Sequence, residues 1–148
     1  MNGIQIKPFE ELTPDELYSI MKLRFDVFVR EQQCFYNEYD AVDKKALHFF
    51  LEKEGEVIAY LRVYEVDGII HMGRFVVQAN YRHNKIGTQL IHRCLTFLQQ
   101  EQHRSLLQIS AQIYLKEYYT SFGFQTISDV YDDDGILHVD MELTLGSF

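Results

Sequence analysis

Phe75-Val76-Val77-Gln78-Ala79-Asn80-Tyr81-Arg82-His83-Asn84-Lys85-Ile86-Gly87-Thr88 is the stretch whose reading decides the fold. An apolar strand ends, a polar turn follows, and a helix begins at Ile86 and Gly87. Ile86, Leu90, Ile91, Cys94, Leu95 and Leu98 mark one face of that helix, predicted to end near Gln102. The first backbone N–H groups of any helix have no intrahelical acceptor, and the helix dipole adds partial positive charge there. Phosphates fit such a place. Arg82 and Lys85 add full charges beside it, and Gly87 is expected to let an anion approach the backbone. An ordinary capped helix start with solvated cations has the same residues, so the stretch alone leaves both readings standing.

Upstream of this stretch the pattern is that of strands. Leu47 to Glu52, Glu56 to Val66 and Ile69 to Val77 are rich in β-branched and aromatic residues. Glu54-Gly55 and Asp67-Gly68 separate them, and such pairs suit tight hairpins that need positive φ. Nearer the N-terminus, Ile4 to Lys7 reads as a short strand. Thr13 reads as an N-cap, Pro14 as the first helical residue and Glu16 as the closing member of a capping box. Leu17, Ile20, Met21, Val27 and Phe28 carry that helix to about Glu31; Gln32 to Lys45 is polar and irregular, as a loop or short helix lining a site or an ordinary surface connection would be. Downstream, Leu106 to Ser110 is a short buried strand and Leu115 to Phe122 a short helix stopped by Gly123. Strands around Phe124 to Tyr131 and Ile136 to Leu145 flank the turn Asp133-Asp134-Gly135. The order β-α-β-β-β-α-β-α-β-β predicts an α/β fold with a mixed central sheet, one domain over residues 1–148.

Composition narrows the function. Apolar residues make up 47% of the chain and charged residues 24%, which argues against disorder. A formal charge of -8 without a dense Lys/Arg run argues against nucleic-acid binding and favours cationic partners or plain solubility. No apolar stretch approaches the roughly 20 residues of a spanning helix, and no signal-like start is present, so a cytoplasmic protein with no membrane partner is expected. Cys34 and Cys94 lack metal-ligand spacing, the six histidines show none either, and Asp132-Asp133-Asp134 reads as a solvated turn, so no metal is expected. Neither a Walker-type loop nor a dinucleotide fingerprint occurs.

The stretch from Arg82 to Thr88 resembles the phosphate loop of the GNAT superfamily. That family has Arg or Gln, two residues, Gly, one residue, then Gly or Ala after its fourth strand. Arg82 to Gly87 fits, with Lys85 where the first glycine is usual. The resemblance implies that backbone amides across Arg82, His83, Asn84, Lys85, Ile86, Gly87 and Thr88 hold the pyrophosphate of acetyl-coenzyme A. It also implies that the strand Phe75, Val76 and Val77 offers an N–H to the thioester carbonyl, and that Gln112 stands where an Asn often meets the pantetheine arm. A second match, Leu115 to Phe124, puts Tyr119 on the tyrosine that protonates the leaving thiolate. Taken alone, Tyr119 would read as a core tyrosine. A phenol, with a reference pKa of about 10, stays protonated at neutral pH and can donate to a developing thiolate.

Other segments are similar to the ElaA-like branch of this family: Leu23 to Gln32 with Tyr36, Glu38 and Asp40, then Gly73 to Val77, Ser110 to Gln112, and Tyr131 to His138. The Arg24, Val27, Phe28 start is also similar to acyl-homoserine-lactone synthases, which share the fold, but the chain is shorter and lacks the Trp expected soon afterwards. The resemblance implies direct acetyl transfer from acetyl-CoA to an amine of a small molecule or peptide. The alternative is an acetyl-CoA-binding sensor or partner-binding module without turnover; a longer acyl donor is a third reading. A homodimer is as compatible with these residues as a monomer. An amine with a reference pKa near 10.4 needs a base at neutral pH. Glu31, Glu38, Asp40, His71 and His138 are candidates; Glu31 is favoured because it ends the first helix before the acceptor loop, although a solvated helix-end carboxylate would look the same.

Overall fold

Turn chemistry and alternation build the first half of the sheet. In the computed structural model, which describes residues 3–35, 37–101 and 106–146, β1 (Ile4–Pro8), β2 (Leu47–Lys53), β3 (Glu56–Val66) and β4 (Ile69–Val77) pair antiparallel in sequence order. Both predicted hairpins form on left-handed residues: Glu54 and Asp67 have φ of 53° and 52°, and Gly55 and Gly68 follow at 82°. The first helix, α1 (Pro14–Arg24), starts as read from the sequence. The Thr13 hydroxyl accepts from the Glu16 amide at 3.1 Å, and the Glu16 carboxylate accepts from the Thr13 amide at 2.9 Å.

Four boundaries differ from the sequence reading. The first helix does not continue as α-helix to Glu31; Phe25–Glu31 is a π-helix, closed where the Gln32 amide reaches five residues back to the Val27 carbonyl. Apolar periodicity is a poor detector of that widening, because Val27 and Phe28 are buried either way. The helix α2 (Ile86–Glu101) matches its apolar face, while the expected end at Gln102 lies outside the described residues. β5 (Leu106–Gln112) is two residues longer than predicted, and a 3₁₀ turn over Ile113–Leu115 leaves α3 only Lys116–Thr120. The single strand expected from Phe124 to Tyr131 is instead β6 (Gln125–Thr126) and β7 (Tyr131–Asp133), both paired to β8 (Ile136–Thr144). Between them the Ser128 hydroxyl accepts from the Asp140 amide at 2.9 Å, so a side chain replaces the ladder there.

The sheet order is β1-β2-β3-β4-β5-β8-β6, and the β4–β5 neighbours run parallel in an otherwise antiparallel sheet. One face packs on α2 through Leu90, Ile91 and Cys94 against Phe49, Leu61, Leu107 and Met141. The other face packs on α1 and the π-helix through Ile20, Leu23, Val27 and Phe28 against Phe50, Tyr60 and Val76. Strand alternation does the rest. Leu107, Ile109 and Ala111 of β5 join the α2 core, as do Val139 and Met141 of β8. Gln108, Ser110 and Gln112 therefore point the other way, paired across the strands with Glu142, Asp140 and His138. No helix among the described residues is long and apolar enough to cross a membrane.

Candidate active site

The site opens where two strands part. β4 and β5 pair only at Ile70–Leu107 and His71–Gln108, whereas β5 stays paired with β8 as far as Gln112. A β-bulge at Arg74 and Phe75, with Arg74 at φ 53°, bends β4 away from β5 at the same level. Two cavities fill the opening. A cleft of about 550 Å³ runs along Val76 and Val77 to the α2 N-terminus. A polar cavity of about 230 Å³ lies on the β5–β8 side. Phe28, Gln32, Phe75, Tyr114 and Leu115 line both, forming a collar between them. Gln112 Nε2 donates to Gln32 Oε1 across this collar at 2.9 Å, joining β5 to the end of the π-helix.

The loop before α2 is a concave turn of backbone. His83 and Lys85 both adopt left-handed φ, 69° and 68°, and the Gln89 amide bonds the Lys85 carbonyl at 3.0 Å. Lys85 thus occupies a conformation that explains a glycine preference there, and does so with an exposed side chain. Ile86, Gly87 and Thr88, whose amides belong to the first helical turn and have no intrahelical acceptor, are among the residues that line the cleft. Gly87 also has a packing role. Its backbone has no positive φ, and an added Cβ would stand 2.8 Å from Phe75 Cζ and 3.2 Å from Val77 Cγ2. The missing side chain lets α2 press on β4. Arg82 bonds the Val77 carbonyl at 2.9 Å and grips Glu31 with two hydrogen bonds of 3.0 and 3.2 Å.

The tyrosine pair divides between the cavities. Tyr118 lines the cleft, its hydroxyl 2.9 Å from the Thr88 hydroxyl. Tyr119 lines the polar cavity, packed among Phe75, Tyr118 and Phe124 at ring distances of 6.5, 5.7 and 5.8 Å. Burial pushes the Tyr119 phenol well above its ordinary pKa, so it carries its proton at neutral pH.

Beside the polar cavity, with Arg62 and Arg74 among its lining residues, lies a largely buried group of three arginines and three carboxylates. Arg24, fully buried, meets Glu38 at 2.6 Å and Asp43 at 2.8 Å. Arg62 meets Asp40 at 2.7 Å and Asp43 at 2.8 Å, and Arg74 forms an ion pair with Glu38 at 3.0 Å, without the alignment of a hydrogen bond. The Arg62 hydrogen bonds hold the Asp40 carboxyl below its ordinary range. This group ties the loop after the π-helix to β3 and β4. Sequence reasoning missed it as a unit; the available signal was Arg62, a lone charge inside the apolar run Ile58 to Val63.

The base candidates separate on these facts. Glu38 and Asp40 are engaged with the arginines. Glu31 is paired with Arg82 and lines a groove beside α1 rather than the cavity that holds Tyr119. His71 and His138 both line the Tyr119 cavity. Cys34 is buried, which pushes its thiol up and suits packing rather than nucleophilic attack. Asp132 caps the Gly135 amide at 2.8 Å, the turn read from the sequence.

A model of the GNAT acetyltransferase domain matches residues 10–145. The chain belongs to the GNAT family. Within it, Protein ElaA of Escherichia coli is 34% identical over 136 residues, 88% of this chain and 89% of its own, which fixes the ElaA-like branch. The crystal structure of ElaA superposes with a TM-score of 0.89, covering 94% of this chain and 97% of that one. An acyl-CoA N-acyltransferase from Pseudomonas aeruginosa, 33% identical, does so with a TM-score of 0.89 over the same shares. The AHL synthase LasI, at 14% identity and a TM-score of 0.79 over 97% of this chain and 89% of that one, shares the fold alone. This GNAT protein is accordingly an acyltransferase, built on a fold that takes CoA-type substrates.

Proposed function

We propose that this GNAT acyltransferase moves an acetyl group from acetyl-CoA directly to the amine of a small molecule or peptide, with Tyr119 as the acid. The observation that carries the reading is the collar. One cavity reaches the amide-rich loop before α2, the other holds Tyr119, and Phe28, Gln32, Phe75, Tyr114 and Leu115 border both. A thioester lying along β4 would have its phosphates at the α2 amides and its sulfur near the collar. A β4 amide freed by the parting of the strands is the donor for the carbonyl oxygen, a contribution of about 2.7–4 kcal/mol in comparable sites. The amine nitrogen attacks the carbonyl carbon, the C–N bond forms, the C–S bond breaks, and the Tyr119 hydroxyl protonates sulfur. The proton lost by the newly acylated nitrogen restores the phenol.

The test is a screen of amines for thiol release from acetyl-CoA, run beside thermal melting with the cofactor. Acetyl-CoA at a hundredfold excess over its dissociation constant adds about 2.7 kcal/mol to stability, a rise of several degrees. Tyr119→Phe keeps the ring and removes the proton, so turnover is expected to fall by about 10²–10⁴-fold with acetyl-CoA affinity preserved. Binding without turnover of any amine would support the sensor reading instead. Unchanged turnover in Tyr119→Phe would remove the acid role.

A further inference from the structure

We infer that His138 is the general base of this enzyme, an assignment that rests on the acetyl-transfer reading above. His138 Nδ1 lies 2.8 Å from the Ile136 carbonyl oxygen. A carbonyl can only accept, so Nδ1 carries the hydrogen and the neutral ring presents its lone pair at Nε2. No hydrogen bond to Nε2 occurs among the described residues. The ring is held in place by stacking on Tyr131, with centroids 6.0 Å apart and an interplanar angle of 22°. Tyr131 is itself fixed, its hydroxyl donating to Asp140 at 2.6 Å and accepting from the Ser110 hydroxyl. His138 therefore has a set tautomer, a set orientation and an open basic nitrogen in the cavity that Tyr119 also lines.

Among the described residues, the other histidines lack this combination. His71, in the same cavity, stacks on Tyr64 at 5.3 Å, but no hydrogen bond fixes its tautomer. His48 is the contrasting case: its Nε2–H meets the Asp43 carbonyl at 2.9 Å and its Nδ1 the Tyr60 hydroxyl at 2.6 Å, so both nitrogens are engaged. The charged and titratable groups around His138 come from six elements, Tyr64 on β3 and Tyr114 on the 3₁₀ turn among them. Asp133 and Tyr131 stand on β7, Asp140 on β8 itself, Tyr119 on α3 and His71 on β4. Arg62 and Arg74, on β3 and β4, reach the cavity already paired with Asp40, Asp43 and Glu38. Asp133 is the one carboxylate among the cavity-lining residues, and it favours an ammonium form at the mouth before deprotonation.

The proton inventory closes. An arriving ammonium gives one proton to His138 Nε2, which passes it to solvent. The free amine attacks, and its second proton replaces the one Tyr119 gives to sulfur. The products are the amide, the free thiol and one proton released.

The experiment is the pH dependence of kcat/KM for wild type, His138→Gln and His71→Gln, using an amine that wild type accepts. Glutamine keeps a donor for the Ile136 carbonyl and cannot titrate. His138→Gln is expected to lower kcat/KM at neutral pH by about 10²–10⁴-fold and to abolish its acidic limb, with the melting shift by acetyl-CoA retained. His71→Gln should keep the limb. In the wild-type protein, nitrogen chemical shifts should show the Nδ1–H tautomer, a readout that needs no variant. An acidic limb that survives in His138→Gln overturns the assignment even if the rate falls, and so does a limb lost in His71→Gln or a ring protonated at Nε2. Acetyl-CoA binding with no amine turned over by wild type would overturn the transferase reading first, and this assignment with it.

Discussion

Moving the glycine of the loop before α2 tests the backbone reasoning directly. Lys85 holds φ at 68° with its side chain exposed, so Lys85→Gly removes strain and little packing. A left-handed conformation costs an ordinary residue about 1–2 kcal/mol. Glycine gives back about 0.4–1 kcal/mol through the greater freedom of its unfolded chain. The balance is a gain of about 0.5–1 kcal/mol. With an unfolding entropy of about 2.1 cal/mol/K per residue over 148 residues, about 1 kcal/mol corresponds to about 3 °C. Lys85→Gly should therefore raise the melting temperature by about 1–3 °C. Acetyl-CoA affinity should stay within tenfold, about 1.4 kcal/mol, because glycine keeps the backbone amide. Gly87→Ala is the opposite case. Its Cβ would lie 2.8 Å from Phe75 Cζ, and overpacking of that kind costs about 1–3 kcal/mol, so melting should fall by about 3–9 °C. Differential scanning calorimetry of both variants, with and without acetyl-CoA, decides the matter. A lower melting temperature in Lys85→Gly, or a neutral Gly87→Ala, would refute the division of labour between the two positions.

Other perturbations follow from the same geometry. Tyr118→Phe removes the bond to Thr88 in the cleft, so it should weaken acetyl-CoA binding in a titration while leaving kcat nearly unchanged, the reverse of Tyr119→Phe. Arg24→Met strips Glu38 and Asp43 of a buried partner, and a loss of about 3–5 kcal/mol is expected in urea unfolding; a loss below 1 kcal/mol would mean the carboxylates find water. Stability should fall on acidification. Burial holds the His48 pKa below 6.5, and the Arg62 hydrogen bond holds Asp40 below 3.8, so in both cases the unfolded chain binds protons first. Their contributions are present above those unfolded values and are lost as pH drops, beginning near pH 6.5 for His48 and near 3.8 for Asp40. Melting followed from pH 8 to pH 2 should show the decline, with its upper part absent in His48→Gln.

The sequence by itself determined the elements whose causes are local. A capping box at Thr13 and Glu16, left-handed pairs at Glu54-Gly55 and Asp67-Gly68, and the apolar face of α2 each depend on residues a few positions apart. The family was legible for the same reason, since Arg82 to Gly87 and Leu115 to Phe124 are continuous motifs. The tertiary structure decided everything that depends on contacts between distant segments. Arg82 meets Glu31 across 51 residues, Gln112 meets Gln32 across 80, and Arg24 finds Glu38 and Asp43 in a loop with no periodic pattern. Five carboxylate and histidine candidates for the base looked alike in sequence because spacing carries no record of a partner. Ion pairs engage three of them, and strand register turns His71 and His138 toward the cavity of Tyr119. What a side chain can do chemically depends on which groups already hold its protons and lone pairs, and the fold assigns those groups.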